Sequence, residues 1–265
     1  MMQPATVLTI AGSDSGGGAG LQADLKAFAL NGVFGTSVVT VLTAQNSAEI
    51  RAIEKVPAAF VESQLDAVLA DLPVAAVKTG MLASEETVRA VAGYAPRLPN
   101  LVVDPVLVNS DGVRLFPSTV DSAYRGGLFP HAAVITPNLR EASLLTGREI
   151  RSDDDMAAAA TELAATGAGC VVVKGGGRPG VEAVDAVWHE GSVRFLRSPW
   201  VDTRNNHGTG CTFAATTAAL LAQRVPVQDA LDRAKRYVQA ALERGAAWQI
   251  GSGHGPLGWP TATDH

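Results

Sequence analysis

The chain has 265 residues, of which 47% are hydrophobic and 18% charged, and its formal net charge is −5. This length suffices for one large α/β domain or two small ones, the apolar fraction excludes a disordered chain, and no Lys/Arg cluster forms a nucleic-acid footprint. Two cysteines are too few for a disulfide scaffold and lack metal-ligand spacing. No signal-type segment or membrane-length apolar run is present, so a cytoplasmic location is expected.

In chain order the pattern is strand, loop, helix, repeated. Residues 6–10 read as an apolar strand running into a glycine-rich loop, 12–20. The spacing predicts a helix over 21–30, stopped by Asn31-Gly32. A β-branched run at 37–42 favours strand, and 58–72 carries apolar residues at helical spacing. Short apolar strands are expected at 74–77, 101–103, 132–135 and 170–173, at intervals that fit crossover helices. Such strands are buried on both faces, which implies a mostly parallel sheet with helices on both sides. Residues 183–188 and 193–196 suggest an edge hairpin, and long helices are expected at 209–223 and 227–247. No linker divides the chain, so one domain over 1–265 is expected, with 251–265 as a surface tail.

In open parallel sheets ligands bind beyond the carboxyl ends of the strands, so the residues there are the candidates. The first loop, Gly12 to Gly20, is able to bring backbone amides close to a ligand, yet it has neither Walker A nor dinucleotide spacing. Asp24 lies one turn into the next helix, where it either complements the helix dipole or faces the substrate loop. Gln45 offers an amide that donates and accepts, suited to an aminopyrimidine edge, though taken alone it reads as a polar loop residue. Asn138 and Glu141 have capping-box form, compatible with a further role in orienting hydrated Mg²⁺. Ser152 and Asp155 have the same form and need no role beyond capping. Lys174, followed by Gly175-Gly176-Gly177, is placed to reach a phosphate. The strongest segment is Asn206-His207-Gly208-Thr209-Gly210-Cys211-Thr212, which opens an apolar helix. Its unpaired N–H groups form an anion hole, and Cys211 stands in the first turn, where a thiolate is electrostatically favoured. Cys170 reads as a core thiol.

Together these segments resemble the ribokinase-like superfamily, and within it the hydroxymethylpyrimidine/phosphomethylpyrimidine kinases of thiamine biosynthesis. The likeness is carried by residues 8–14, 17–20, 22–26, 44–46, 78–82, 103–106, 136–138, 141–142, 174–176 and 207–212, in order, over nearly the whole chain. The resemblance implies one ribokinase-like domain, usually a homodimer, and two successive phosphoryl transfers from Mg-ATP, to a pyrimidine alcohol and then to its monophosphate. It implies that Gln45 holds the pyrimidine with Gly12, Asp24 and Met81. Lys174, Asn138 and the Gly208, Thr209 and Gly210 amides would serve ATP, and Asp104 and Glu141 the Mg²⁺, through water. Many sugar kinases of the superfamily carry an aspartate base where this chain has Cys211, which implies either that Cys211 is the catalytic base, as a thiolate, or that it only lines the site. The closest alternative is a pyridoxal/pyridoxine kinase, or dual activity; the pyridoxal enzymes most like this family tend to carry methionine in place of Gln45. A non-catalytic binding protein is disfavoured by the retained Lys174, Asn138, Glu141 and Cys211, and an NAD(P)-dependent oxidoreductase by the glycine spacing. No nucleic-acid or membrane partner is expected.

Overall fold

A computed structural model describes residues 3–109, 112–176 and 180–259. Its strands are β1 (Thr6–Asp14), β2 (Phe34–Gln45), β3 (Ile50–Lys55), β4 (Val74–Thr79), β5 (Leu101–Val103), β6 (Val134–Ile135), β7 (Cys170–Lys174), β8 (Glu182–His189) and β9 (Ser192–Pro199). Among the described residues they form one sheet in the order β3-β2-β1-β4-β5-β6-β7-β8-β9. The six strands from β2 to β7 in that order run parallel. β3 at one edge and the β8–β9 hairpin at the other are antiparallel to their neighbours.

Alternate residues of the inner strands feed two separate cores, which is why these strands read as apolar throughout. Leu8, Ile10, Val77, Val103, Ile135, Val171 and Val173 face one side. There they meet α2 (Ala58–Asp71), α3 (Glu85–Tyr94), α4 (Thr119–Ala123), α5 (Leu139–Thr146) and α6 (Asp153–Ala164). Val7, Ala76, Val102, Val134, Cys170 and Val172 face the other side, under α1 (Gly20–Leu30), α7 (Thr209–Ala222) and α8 (Val227–Gly245). Every α7 residue from Thr212 to Ala222 is buried, as suits a helix that is apolar all round and lies inside the fold. Chain order reverses about β1, which has β2 on one side and β4 on the other, so a crevice opens beyond their carboxyl ends.

Three expectations are corrected. The first strand continues past Ile10 to Asp14, because a register shift between Ala11 and Gly12 keeps it paired with β2. β3 was not foreseen: its sequence, IRAIEK, lacks a buried face and forms an exposed, charged edge strand. Residues 251–259 are no surface tail. Leu257 is wholly buried, Gly258 N–H donates to Ala241 O (2.9 Å), His207 N–H to Gly255 O (3.0 Å), and His254 N–H to Ser47 O (2.8 Å). The segment supplies partners for backbone groups that would otherwise be left open beside α8 and the α7 entry. The rest of the expected tail, 260–265, and Gly177 lie outside the described residues.

Candidate active site

The parallel strands deliver their polar ends to one edge of the sheet: Asp14 from β1, Gln45 from β2, Asp104 just after β5, Asn138 after β6 and Lys174 from β7. The glycine-rich segment folds around the first of these. The Asp14 carboxylate accepts N–H bonds from Gly16 (2.8 Å), Gly18 (3.1 Å) and Ala19 (2.9 Å), and its carbonyl accepts from Gly17 (2.9 Å). These amides are spent within the chain, which corrects the expectation that the loop offers them to a ligand. The glycines instead allow close approach. A Cβ at Gly12 would lie 2.6 Å from Val41 Cγ1, and one at Gly18 would lie 2.4 Å from His207 Cδ2.

A cavity of about 220 Å³ lies beside this loop, small enough for a single substituted ring. Gly12, Gln45, Met81 and Cys211 line it together, and Val106, Val108 and Leu115 give it an apolar wall. The backbone of Gln45 is pinned in both directions: Ser15 Oγ donates to its carbonyl (2.7 Å) and its N–H donates to Ser15 Oγ (2.8 Å). Its side-chain amide lies 3.3 Å from His207 Nε2, which is 2.9 Å from Asp14 Oδ2. Burial pushes the Asp14 carboxyl up, but hydrogen bonds from His207, Ala19 and Gly16 outweigh it and hold the group below the usual carboxylate range.

At the start of α7, Gly208 has φ +85°, and a Cβ there would lie 1.9 Å from Gly18 O. Only glycine fits such an approach. The first helical bond runs from Thr212 N–H to Gly208 O (2.8 Å). The Thr209 N–H and Oγ1 both turn back to Asn206 O, at 3.2 and 2.6 Å, which removes that amide from the expected anion-binding set. The Gly208, Gly210 and Cys211 amides have no partner among the described residues. Cys211 therefore places the open end of the helix against the Gln45 cavity.

Lys174 and Asp104 stand beside this helix end. Lys174 Nζ donates to Asp104 Oδ1 (2.7 Å), which also accepts from Thr136 Oγ1 (2.9 Å). A Cβ at Gly210 would lie 2.9 Å from Lys174 Nζ and 3.8 Å from Asp104 Oδ2. Burial pushes the Asp104 carboxyl up, but the Lys174 and Lys78 charges bring it below its ordinary value. Asn138 and Glu141 form the capping box of α5: Asn138 N–H donates to Glu141 Oε2 (2.9 Å), and Glu141 N–H to Asn138 Oδ1 (3.0 Å). Leu107 N–H donates to Glu141 Oε1 (3.2 Å). Burial, and then the Asp104 charge, push the Glu141 carboxyl up to about 8. Among the described residues no three His, Cys, Asp or Glu side chains gather as metal ligands.

Asp24 does not face the cavity. It is wholly buried, and its Oδ2 accepts from Lys78 Nζ (2.8 Å) and Thr9 Oγ1 (2.6 Å). The physical reason lies in Lys78, a fully buried ammonium that needs a counter-charge. Burial alone would lower the Lys78 pKa, but Asp24, Cys211 and Asp104 hold it above its ordinary value. Sequence reasoning missed this pair, although a lysine in an otherwise apolar strand was the available signal. It also gave His207 no role beyond its place in the motif. The Cys211 expectation is corrected too: burial pushes the thiol up to about 11, and the Lys78 charge offsets only part of this. At neutral pH Cys211 is a thiol. Cys170 lies in the core, as expected, its thiol pushed up by burial to about 12.

The phosphomethylpyrimidine kinase family profile matches residues 14–258. The chain is 47% identical to a hydroxymethylpyrimidine/phosphomethylpyrimidine kinase of Rhizobium meliloti, covering 96% of each. It is also 47% identical to the thiamine biosynthesis bifunctional protein ThiED of Geobacter sulfurreducens, where 95% of this chain spans 51% of the relative. Among solved structures, an ADP complex of Bacillus subtilis pyridoxal kinase superposes with a TM-score of 0.90 at 36% identity, covering 97% of this chain and 98% of that one. These likenesses extend over the glycine-rich loop, the Gln45 cavity and the α7 entry, and the chain belongs to the phosphomethylpyrimidine kinase family.

Proposed function

We propose that this protein phosphorylates 4-amino-5-hydroxymethyl-2-methylpyrimidine with ATP, and then phosphorylates the monophosphate to the diphosphate, in thiamine biosynthesis. The observation that carries this reading is that Cys211, in the first turn of α7, lines the same cavity as Gln45. A ring held by Gln45, Gly12 and Met81 would direct its hydroxymethyl group at a helix end with open amides.

In this reading the Gly208 and Gly210 amides and Lys174 receive the ATP phosphates, with Asn138 fixing the adjoining α5 entry. Their work is positioning and charge neutralisation, which dominate phosphoryl transfer. Cys211 contacts the substrate hydroxyl. A loose transition state loses the hydroxyl proton late, so the proton can pass to an oxygen of the transferring phosphoryl group while the Cys211 thiol keeps its own and positions the hydroxyl. Asp24 acts from beneath, through Lys78.

Asp104 Oδ1 is occupied by Lys174 and Thr136, and both Glu141 oxygens accept backbone N–H bonds, so these carboxylates do not form a direct cage. They do fit a hydrated Mg²⁺ that arrives with the nucleotide and is held mainly by phosphate oxygens. Bound there, it would neutralise charge on the transferring phosphoryl group. A homodimer in the cytoplasm belongs to the same reading and rests on the family resemblance.

The likeness to a pyridoxal kinase favours pyridoxal as a second acceptor. Gln45 argues for the pyrimidine, because its amide pairs with a ring nitrogen beside an exocyclic amine. Incubation with Mg-ATP and, separately, the pyrimidine alcohol, its monophosphate and pyridoxal, followed by product mass measurement, tests the choice. Phosphorylation of both pyrimidines is expected. Transfer to pyridoxal alone would overturn the substrate, and no transfer at all would overturn the enzyme reading.

A further inference from the structure

The Gln45 amide sits in an arrangement that one histidine cannot satisfy in both directions. His207 Nε2 is 2.9 Å from Asp14 Oδ2 and 3.3 Å from the nitrogen position of the Gln45 amide. An ionised carboxylate only accepts, so the Nε2 proton belongs on the Asp14 side. That holds whether or not the other ring nitrogen is also protonated. With Nε2–H in place, an NH₂ from Gln45 would meet a donor. The clash is relieved when the amide oxygen faces His207, sharing the Nε2–H with Asp14, and the NH₂ turns into the cavity.

Nothing in the surroundings lets the histidine escape this role. The ring is closed in by Gly18, where a Cβ would lie 2.4 Å from Cδ2. The backbone is held by Gly255 O, which accepts the His207 N–H at 3.0 Å. Asp14 is fixed in turn by the amides of Gly16, Gly18 and Ala19. The Gln45 main chain is tied to Ser15. What stays open in Gln45 is a half-turn of its amide, and the histidine removes that freedom.

We infer that Asp14 and His207 are specificity-determining positioning residues, which lock the Gln45 amide so that the cavity accepts a ring nitrogen acceptor beside a donor amine and rejects the inverted edge. Resting on the pyrimidine reading above, this deepens it by naming what makes the amide directional. A free glutamine amide turns over and reads either edge equally well. One held by His207 donates from NH₂ to the ring nitrogen, and accepts the exocyclic amine on the remaining lone pair of its oxygen.

The test compares two substrates with opposite edges, the 4-amino pyrimidine alcohol and its 4-oxo analogue in the 3-H form. The wild-type protein is expected to favour the amino compound in kcat/KM by roughly 10- to 100-fold, the cost of one mismatched buried polar group. In His207→Phe that preference should collapse to within about threefold, mainly through KM for the amino compound. His207→Gln keeps an N–H for Asp14 and should retain part of the preference. Unfolding curves with and without ADP establish that the variants are folded and bind nucleotide. A wild-type protein that turns over both edges alike overturns the inference, even where the variants fail to fold. So does His207→Phe with an unchanged ratio, and both results leave the pyrimidine reading standing. Turnover of pyridoxal with neither pyrimidine would sink that reading and the inference with it.

Discussion

Lys174 Nζ and Asp104 Oδ1 lie 2.7 Å apart, directly beside the Gly210 backbone at the start of α7. The ammonium is thus presented to the helix end already paired, with Asp104 fixed from behind by Thr136. A phosphate arriving at the open amides meets a cation whose position was set during folding. On the proposed phosphate role of Lys174, Lys174→Met should lower kcat/KM for ATP by more than about 100-fold, and it leaves Asp104 without its ion pair. Asp104→Asn should cost less, and the double variant should be clearly less impaired than the product of the two, as steady-state kinetics over an ATP series would show.

The second buried pair acts on stability. Lys78 and Asp24 side chains have no exposure, and their charges meet at 2.8 Å. Removing one partner leaves an uncompensated buried charge, so Lys78→Met should destabilise the fold by about 3–5 kcal/mol. The expected reading in urea unfolding is a lower midpoint with an unchanged slope. Restoration by a compensating Asp24→Leu change would mark the pair as the cause.

How much of this was legible in sequence depends on whether a feature is local. The parallel strands were, because each is an apolar run ending in a polar residue at the same edge. The α5 cap was, because Asn138 and Glu141 meet within one turn. Gln45 and Cys211 were assigned to one site, and they line one cavity. The Asp24–Lys78 pair was not, because its partners are 54 positions apart and touch only after α1 packs on β1 and β4 pairs beside β1. Asp14 and His207 are 193 positions apart, and neither residue alone indicates the other. The glycine-rich loop misled for a related reason: composition signals free amides, yet an aspartate at its start collects them.

Cys211 offers a chemical reading. Its thiol is pushed up to about 11 by burial, so alkylation by iodoacetamide should be slow at pH 7.5 and accelerate steadily as pH approaches that value. Cys170 should stay unlabelled in the folded state, since it is wholly buried. Labelling rates followed by mass spectrometry check both. Fast labelling of Cys211 at neutral pH would restore the resting thiolate.

Glu141 gives the nucleotide-free protein a pH dependence with a fixed sign. Its folded value is raised to about 8 from 4.5, so between those limits the folded state holds a proton that the unfolded chain has lost. The unfolding free energy from this group is therefore greatest below about 4.5 and falls as pH rises through about 8. Calorimetry from pH 6 to 8.5 should show a falling Tm, with a flatter slope in Glu141→Gln. A rising Tm in the wild type would show that Glu141 is already ionised.

Gly208 provides a steric test. A Cβ there would meet Gly18 O at 1.9 Å, backbone against side chain, at a φ of +85°. Gly208→Ala must shift either the α7 entry or the glycine-rich loop. It should lose nearly all turnover and raise KM for ATP, with a stability cost of about 1–3 kcal/mol. Kinetics and unfolding on the same sample separate the two effects.

The most direct measurement is a crystal structure with the pyrimidine alcohol and a non-hydrolysable ATP analogue. The ring should lie against Gln45 with its hydroxymethyl oxygen at Cys211. The terminal phosphate should lie within hydrogen-bond reach of the Gly210 amide and Lys174. A terminal phosphate bound elsewhere, or a ring outside the Gln45 cavity, would contradict the arrangement on which the function rests.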